Sequence, residues 1–146
     1  MSEFHRARRY GEPLSLVMID VDIFKKINDN FGHLGGNRFL RAIAKLIRDN
    51  IRQSDFAARY GGDEFVVILP ETEEAEAVAV GEKLRKRMEA SSVPLGGGIA
   101  RATFSLGVST LYPKMKRPSD LIEHADKALY EAKRSGRNRT RVAQWT

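Results

Sequence analysis

An α+β sandwich, with helices packed on a mixed, largely antiparallel sheet, is the fold class this sequence predicts. Three observations point to it. Strand-like and helix-like segments are mixed along the chain without the regular alternation of a doubly wound fold. A hairpin signal, Gly61-Gly62, stands in the middle. Apolar residues recur at helical spacing after Gly36 and again after Ser119.

The elements follow in order. Residues 3–10 read as the end of a basic helix. The segment 13–20, PLSLVMID, is a buried strand, because both faces are apolar until Asp20. VDIFKKINDNFGH mixes turn residues with a short helix. Phe39, Leu40, Ile43, Ala44 and Ile47 make 36–50 an amphipathic helix. Residues 55–60 and 64–69 flank Gly61-Gly62 as a hairpin, the glycines accepting the positive φ of a two-residue turn. Pro70 ends its second strand, and a helix covers about 73–90. VPLGGGIARATFSLGVSTL reads as a short strand, a turn at 96–98 and a longer strand at 99–110. Ser119 caps a helix whose stripe is Leu121, Ile122, Ala125, Ala128, Leu129 and Ala132, and Gly136 stops it. Residues 138–143 form a last edge strand.

The chain has 146 residues, enough for one domain with a real core. It has no cysteine, which excludes disulfides and thiolate chemistry and agrees with a reducing cytosol. No apolar run approaches the roughly 18–20 residues of a membrane span, and the start, MSEFHRARRYGE, lacks the apolar segment of a signal peptide. A net charge of +6 suggests an anionic partner. Phe and Tyr fall mostly at apolar-periodic positions, so a nucleic-acid surface is not expected.

Several groups of polar residues could carry chemistry. Asp20 and Asp22 stand at the end of a buried strand, where carboxylates are costly unless neutralised. A divalent cation would neutralise them; capping of the next helix explains them equally well. Asp63 and Glu64 sit at the hairpin, where a Gly-Gly-Asp-Glu turn is ordinarily only a turn. If the strand ending at Asp20 neighbours the hairpin, three or four acids converge, as metal-bound triphosphate chemistry requires. Lys133 and Arg137, near a helix C-terminus, fit either the helix dipole or a phosphate clamp. Arg52 and Asp55, three apart, are an ordinary surface ion pair if they stand alone. His33 follows Gly32 in a loop.

Four motifs in order, DVDIFKKINDNFGH, RQSD, GGDEF at 61–65 and HADKALYEAKRSGRN, resemble the GGDEF family of diguanylate cyclases over nearly the whole chain. The resemblance implies a nucleotidyl cyclase fold, a ferredoxin-like palm. It implies that two GTP molecules become cyclic di-GMP and two pyrophosphates in a two-fold homodimer. Asp20, the Val21 carbonyl, Asp63 and Glu64 would hold Mg²⁺ or Mn²⁺, and Asp63 or Glu64 would assist loss of the 3′-OH proton. The N–H groups of Ile23, Phe24 and Lys25, with the Lys25, Lys133 and Arg137 side chains, would hold phosphates. Asn28 would read guanine, and His33 would line the nucleoside site. Arg52 and Asp55, with Arg59, would bind cyclic di-GMP as inhibitor.

Two departures stand out. The family's GHxxGD is GHLGGN here, so Asn37 replaces the Asp that recognises guanine. Weaker GTP binding, or base choice relaxed toward ATP and hybrid cyclic dinucleotides, is the expectation. The upstream segment resembling DxLTGLxNRR is absent, so residues 1–146 are expected to be a single domain truncated from a longer regulated protein. Its place would be cytoplasmic, with membrane attachment only through missing upstream parts. A catalytically weak sensor of cyclic di-GMP or GTP is the second reading, and a protein scaffold the third.

Overall fold

Strand β1, Leu14–Val21, forms the centre of the sheet in the computed structural model, which describes residues 2–144. The ends of the 1–146 domain reading lie outside the described residues. The order of elements is α1 (Ser2–Tyr10), β1, α2 (Phe24–Asp49), β2 (Phe56–Arg59), β3 (Glu64–Pro70), α3 (Glu74–Ala90), β4 (Val93–Leu95), β5 (Gly98–Ala100), β6 (Phe104–Thr110), α4 (Pro118–Arg134) and β7 (Arg139–Val142). The main sheet runs β2-β3-β1-β6-β7. Its first three pairings are antiparallel, and β7 joins β6 in parallel.

The unbroken apolar run of β1 has a simple cause. Alternate residues of a strand face opposite sides, and both sides of this sheet are covered. Val17, Ile19 and Val21 pack with Phe39, Ile43 and Ile47 of α2 and Leu84 and Met88 of α3. Leu14, Leu16 and Met18 pack with Phe4 of α1 and with Leu121, Ala125 and Leu129 of α4. At Gly107 of β6 the α4 backbone comes so close that a Cβ there would lie 2.2 Å from the Ala125 carbonyl oxygen.

The structure bears out one division of the chain and corrects three expectations. The short helix and the amphipathic helix are both present, as two helical segments of α2 that meet at a kink at Gly32, whose φ of 74° is a glycine conformation. The hairpin turn is not a two-residue Gly-Gly turn. Tyr60 and Gly61 both donate to the Glu64 carbonyl, at 2.8 and 3.4 Å, and neither Gly61 nor Gly62 takes a positive φ. The expected strand 99–110 is split: β5 pairs with β4 in a separate two-stranded sheet, and β6 begins at Phe104. Ser119 lies inside α4 rather than capping it. Pro118 opens that helix, and Asp120 accepts from the Lys116 and Arg117 amides at 2.9 and 3.1 Å.

Candidate active site

The hairpin is sewn to the end of β1. Asp20 lies directly opposite Glu64 on β3 and Ser105 on β6. The Val21 amide donates to the Asp63 carbonyl at 3.2 Å. Directly opposed residues of an antiparallel pair share a face, so register alone brings Asp20 and Glu64 together. The buried Asp20 carboxylate pairs through Oδ2 with Lys133 of α4. Its Oδ1 is buried and has no partner.

Electrostatics mark this cluster. Burial pushes the Asp20 carboxyl up to about 6, with Asp63 adding to the rise and Lys133 opposing it. Burial also raises the carboxyls of Glu64 and Asp126. Burial disfavours the charged form of Lys133, but Asp20, Glu64 and Asp63 outweigh it and hold the proton. Asp126 is a site residue that sequence reasoning missed. It precedes Lys133 by seven residues, two helical turns, which puts both on one face of α4. That spacing was the available signal.

Asp22 is turned elsewhere. Its carboxylate accepts from Thr103 Oγ1 and Ser105 Oγ, each at 2.6 Å, and from the Asn138 amide at 3.0 Å. This fixes the turn after α4. Arg137 and Asn138 both have positive φ, 63° and 46°, and the Arg137 amide donates to the Ala132 carbonyl at 3.0 Å. The Asn138 side chain is itself clamped by Arg85 and Glu89. The turn that carries Arg137 is therefore anchored on both sides of the chain.

Ile23 adopts φ 54°, ψ 42°, an unfavourable conformation for a β-branched residue. Such strain clusters at functional sites. Helix α2 begins one residue later, so the amides of Ile23, Phe24 and Lys25 have no intrahelical acceptor. Lys25 is exposed there. Asn28 rests on Gly36, where any Cβ would collide with its Oδ1, so the two halves of α2 approach closely beside Asn37. His33 is exposed just past the Gly32 break. Asn37 lines a groove of ≈ 500 Å³ between α2 and β2, whose walls include Leu40, Arg41, Arg48, Arg59 and Phe65.

The residues expected to form an inhibitory site are divided. Arg52 and Asp55 form a clasp: the Arg52 amide, Nε and Nη2 all donate to the Asp55 carboxylate, at 2.9, 3.4 and 3.2 Å. Buried Thr72 accepts from Arg52 Nη2 at 2.7 Å, and the pair with Asp55 raises the guanidinium's basicity. A second groove of ≈ 400 Å³ surrounds them, with Glu76 and Lys83 on its far wall. Arg59 is not in it. Its Nε donates to the Gly61 and Gly62 carbonyls at 3.3 and 2.9 Å, at the opposite end of β3 from the Pro70 carbonyl that Arg52 contacts.

Among the described residues no three His, Asp or Glu side chains gather closely enough to cage a metal ion unaided. The buried, unpartnered Asp20 Oδ1 beside Asp63 nonetheless suits a hard cation, and Mg²⁺ commonly takes one or two carboxylates plus phosphate oxygens.

A central antiparallel sheet with acids at a strand end facing an acidic hairpin defines the class, the α+β nucleotidyl cyclase fold. The family described as "Diguanylate cyclase, GGDEF domain" matches residues 1–139. The chain is 44% identical over 133 residues to diguanylate cyclase A of Treponema denticola, covering 91% of this chain and 36% of that protein. It superposes on the active GGEEF domain of a diguanylate cyclase from Vibrio cholerae with a TM-score of 0.92 and 36% identity, covering 99% of this chain and 92% of that one. The GGDEF domain of DgcB from Caulobacter crescentus, solved in complex with c-di-GMP, gives a TM-score of 0.90 and 30% identity, covering 97% and 84%. This chain belongs to the GGDEF domain family of diguanylate cyclases. It spans about a third of the length of the curated relatives it matches.

Proposed function

We propose that this domain condenses two GTP molecules into cyclic di-GMP, releasing two pyrophosphates, as a two-fold pair of copies. The observation that carries the reading is the meeting of Asp20, Asp63 and Glu64 with Lys133 at one end of the sheet. Phosphoryl transfer needs positioning and charge neutralisation more than covalent help, and these residues supply both.

Asp20, the Val21 carbonyl and Asp63, with Glu64 at hand, would hold Mg²⁺ or Mn²⁺. When bound, such an ion neutralises the triphosphate and acidifies a coordinated hydroxyl. The amides of Ile23, Phe24 and Lys25 would bind the phosphates, helped by the Lys25 and Lys133 ammonium groups and the Arg137 fork. Asp63 or Glu64 takes the proton of the 3′-OH as its oxygen attacks the α-phosphate held on the other copy, and pyrophosphate leaves. Asn28 and Asn37 contact the base, and His33 borders the nucleoside. A carboxamide offers one acceptor where guanine presents N1–H and a 2-amino group. Asn37 therefore weakens GTP binding, and Asn37→Asp strengthens it by roughly ten- to a hundredfold, the size of one good polar contact.

A second reading, a sensor of cyclic di-GMP, is favoured by the preformed Arg52–Asp55 clasp in its own groove. In either reading a guanine ligand must share or open this clasp, because Asp55 is already occupied by Arg52. One experiment separates the two. The domain at high concentration is incubated with GTP and Mg²⁺, and products are identified by mass spectrometry. Cyclic di-GMP that vanishes in Asp63→Ala supports the enzyme. No product, with cyclic di-GMP binding that Arg52→Ala removes, supports the sensor.

A further inference from the structure

The groove beside Asn37 contains a group that the proposed reaction leaves without a role. Asn37 and Arg41 stand four residues apart on α2 and therefore share a helix face. Both line the groove, whose floor includes Leu40, Ala44 and Phe65 and whose walls contain no Asp or Glu. Among the described residues the Asn37 and Arg41 side chains have no hydrogen-bond or ion-pair partner. Arg59, across the groove, has its Nε committed to the Gly61 and Gly62 carbonyls. Arg48 lies seven residues beyond Arg41, about 10 Å further along the helix axis, too far to reach the same base edge.

We propose that Arg41 is a specificity-determining residue that selects guanine over adenine in this groove. The inference rests on reading the groove as the base site of a GTP-binding domain. Guanine carries two acceptors side by side, O6 and N7, and a guanidinium presents two donors in a planar fork that matches them. Adenine places its N6 amino donor beside N7, so the same fork meets a donor and loses a bond. Asn28 and Asn37, the two residues assigned to the base, cannot make this distinction, because a carboxamide pairs bidentately with adenine as readily as it makes a single contact with guanine. The apolar floor would take the face of either purine. Discrimination therefore falls to the next polar group on the same helix face, Arg41.

The test uses nucleotides that cannot react, 3′-deoxy-GTP and 3′-deoxy-ATP with Mg²⁺, in equilibrium binding to the wild-type chain, Arg41→Gln and Arg41→Lys. The wild type should prefer the guanine nucleotide. Arg41→Gln, with an adenine-matching carboxamide, should lose roughly ten- to a hundredfold of that preference, the scale of one bidentate base contact. Arg41→Lys keeps the charge without the fork and should lose it too. Affinity for inorganic pyrophosphate and the melting temperature should stay unchanged in both, since the Arg41 side chain is exposed and has no partner among the described residues. An unchanged guanine-to-adenine ratio in both variants overturns the inference. So does an equal loss for both nucleotides and for pyrophosphate, which would make Arg41 a mere positive charge. A wild type that binds both purines equally overturns it while leaving the GTP site standing. A wild type that binds neither removes the underlying reading as well.

Discussion

Asp20 and Asp22, two residues apart, serve different ends. Asp20 keeps one carboxylate oxygen on Lys133 and one without a partner. Asp22 has its carboxylate held by three donors from elsewhere in the chain. Asp22 is thus a positioning residue, tying the end of β1 to the turn that carries Arg137. Asp22→Asn should set an amide NH₂ against donors and leave buried groups unsatisfied, at a cost of about 1–3 kcal/mol. Urea denaturation should show that loss, and affinity for a GTP analogue should fall with it. Unchanged stability and binding would refute the positioning role. The sequence placed both acids at a strand end but could not separate them. The i, i+2 rule stops applying where β1 ends at Val21, and the partners of Asp22 lie 81 to 116 residues away. Asn37 was the opposite case: residue type alone singled it out, and it lines the groove between α2 and β2.

At the scale of elements, α4 shows where local rules succeed and where they miss. Its buried stripe, Leu121, Ala125, Ala128, Leu129 and Ala132, was readable from helical spacing. Its start was misread, because Ser119 is a good cap residue by type while Pro118 before it already belongs in the first turn. The Lys116 and Arg117 amides hold the Asp120 carboxyl below its ordinary value. The sign follows from linkage. A carboxyl lowered in the folded state stabilises above its unfolded value, about 3.9, and that contribution disappears as pH falls through the folded value. Asp120→Asn should therefore melt below the wild type at pH 7, and the two curves should converge as the pH drops below about 4. Melts across a pH series decide it; a gap independent of pH would mean that the charge is irrelevant. The contact of α4 with β6 offers a sharper case. Gly107→Ala places a Cβ against backbone at 2.2 and 2.3 Å, Ala125 O and Leu129 N, which no rotamer can relieve. Overpacking of this kind typically costs 1–3 kcal/mol and here should reach at least the top of that range. Calorimetry or denaturant titration would show it, and a near-neutral result would mean that α4 shifts freely on the sheet.

For the whole molecule, the layers were legible because β1 is apolar on both faces, which requires cover on both. Strand order was less so: the parallel entry of β7 beside β6 depends on a long-range pairing that no local pattern encodes, whereas the β4-β5 pairing is local and the break before β6 was what the apolar run concealed. Among the described residues this acidic cluster occurs once, between β1, the hairpin and α4. One copy therefore presents one set of Asp20, Asp63 and Lys133, whereas the proposed reaction joins two nucleotides. In the proposed reaction two copies would meet with their hairpins facing. While most of the protein is monomeric, the total rate of pyrophosphate release should rise with about the second power of protein concentration. Fusion to a dimeric coiled coil should remove that dependence by raising the effective concentration of the second copy, into the millimolar range for a short flexible linker. Initial rates over a hundredfold range of protein, with sedimentation to follow the monomer fraction, make the comparison. A specific activity that stays constant in a purely monomeric sample would sink the two-copy mechanism, because a single copy would then hold both nucleotides.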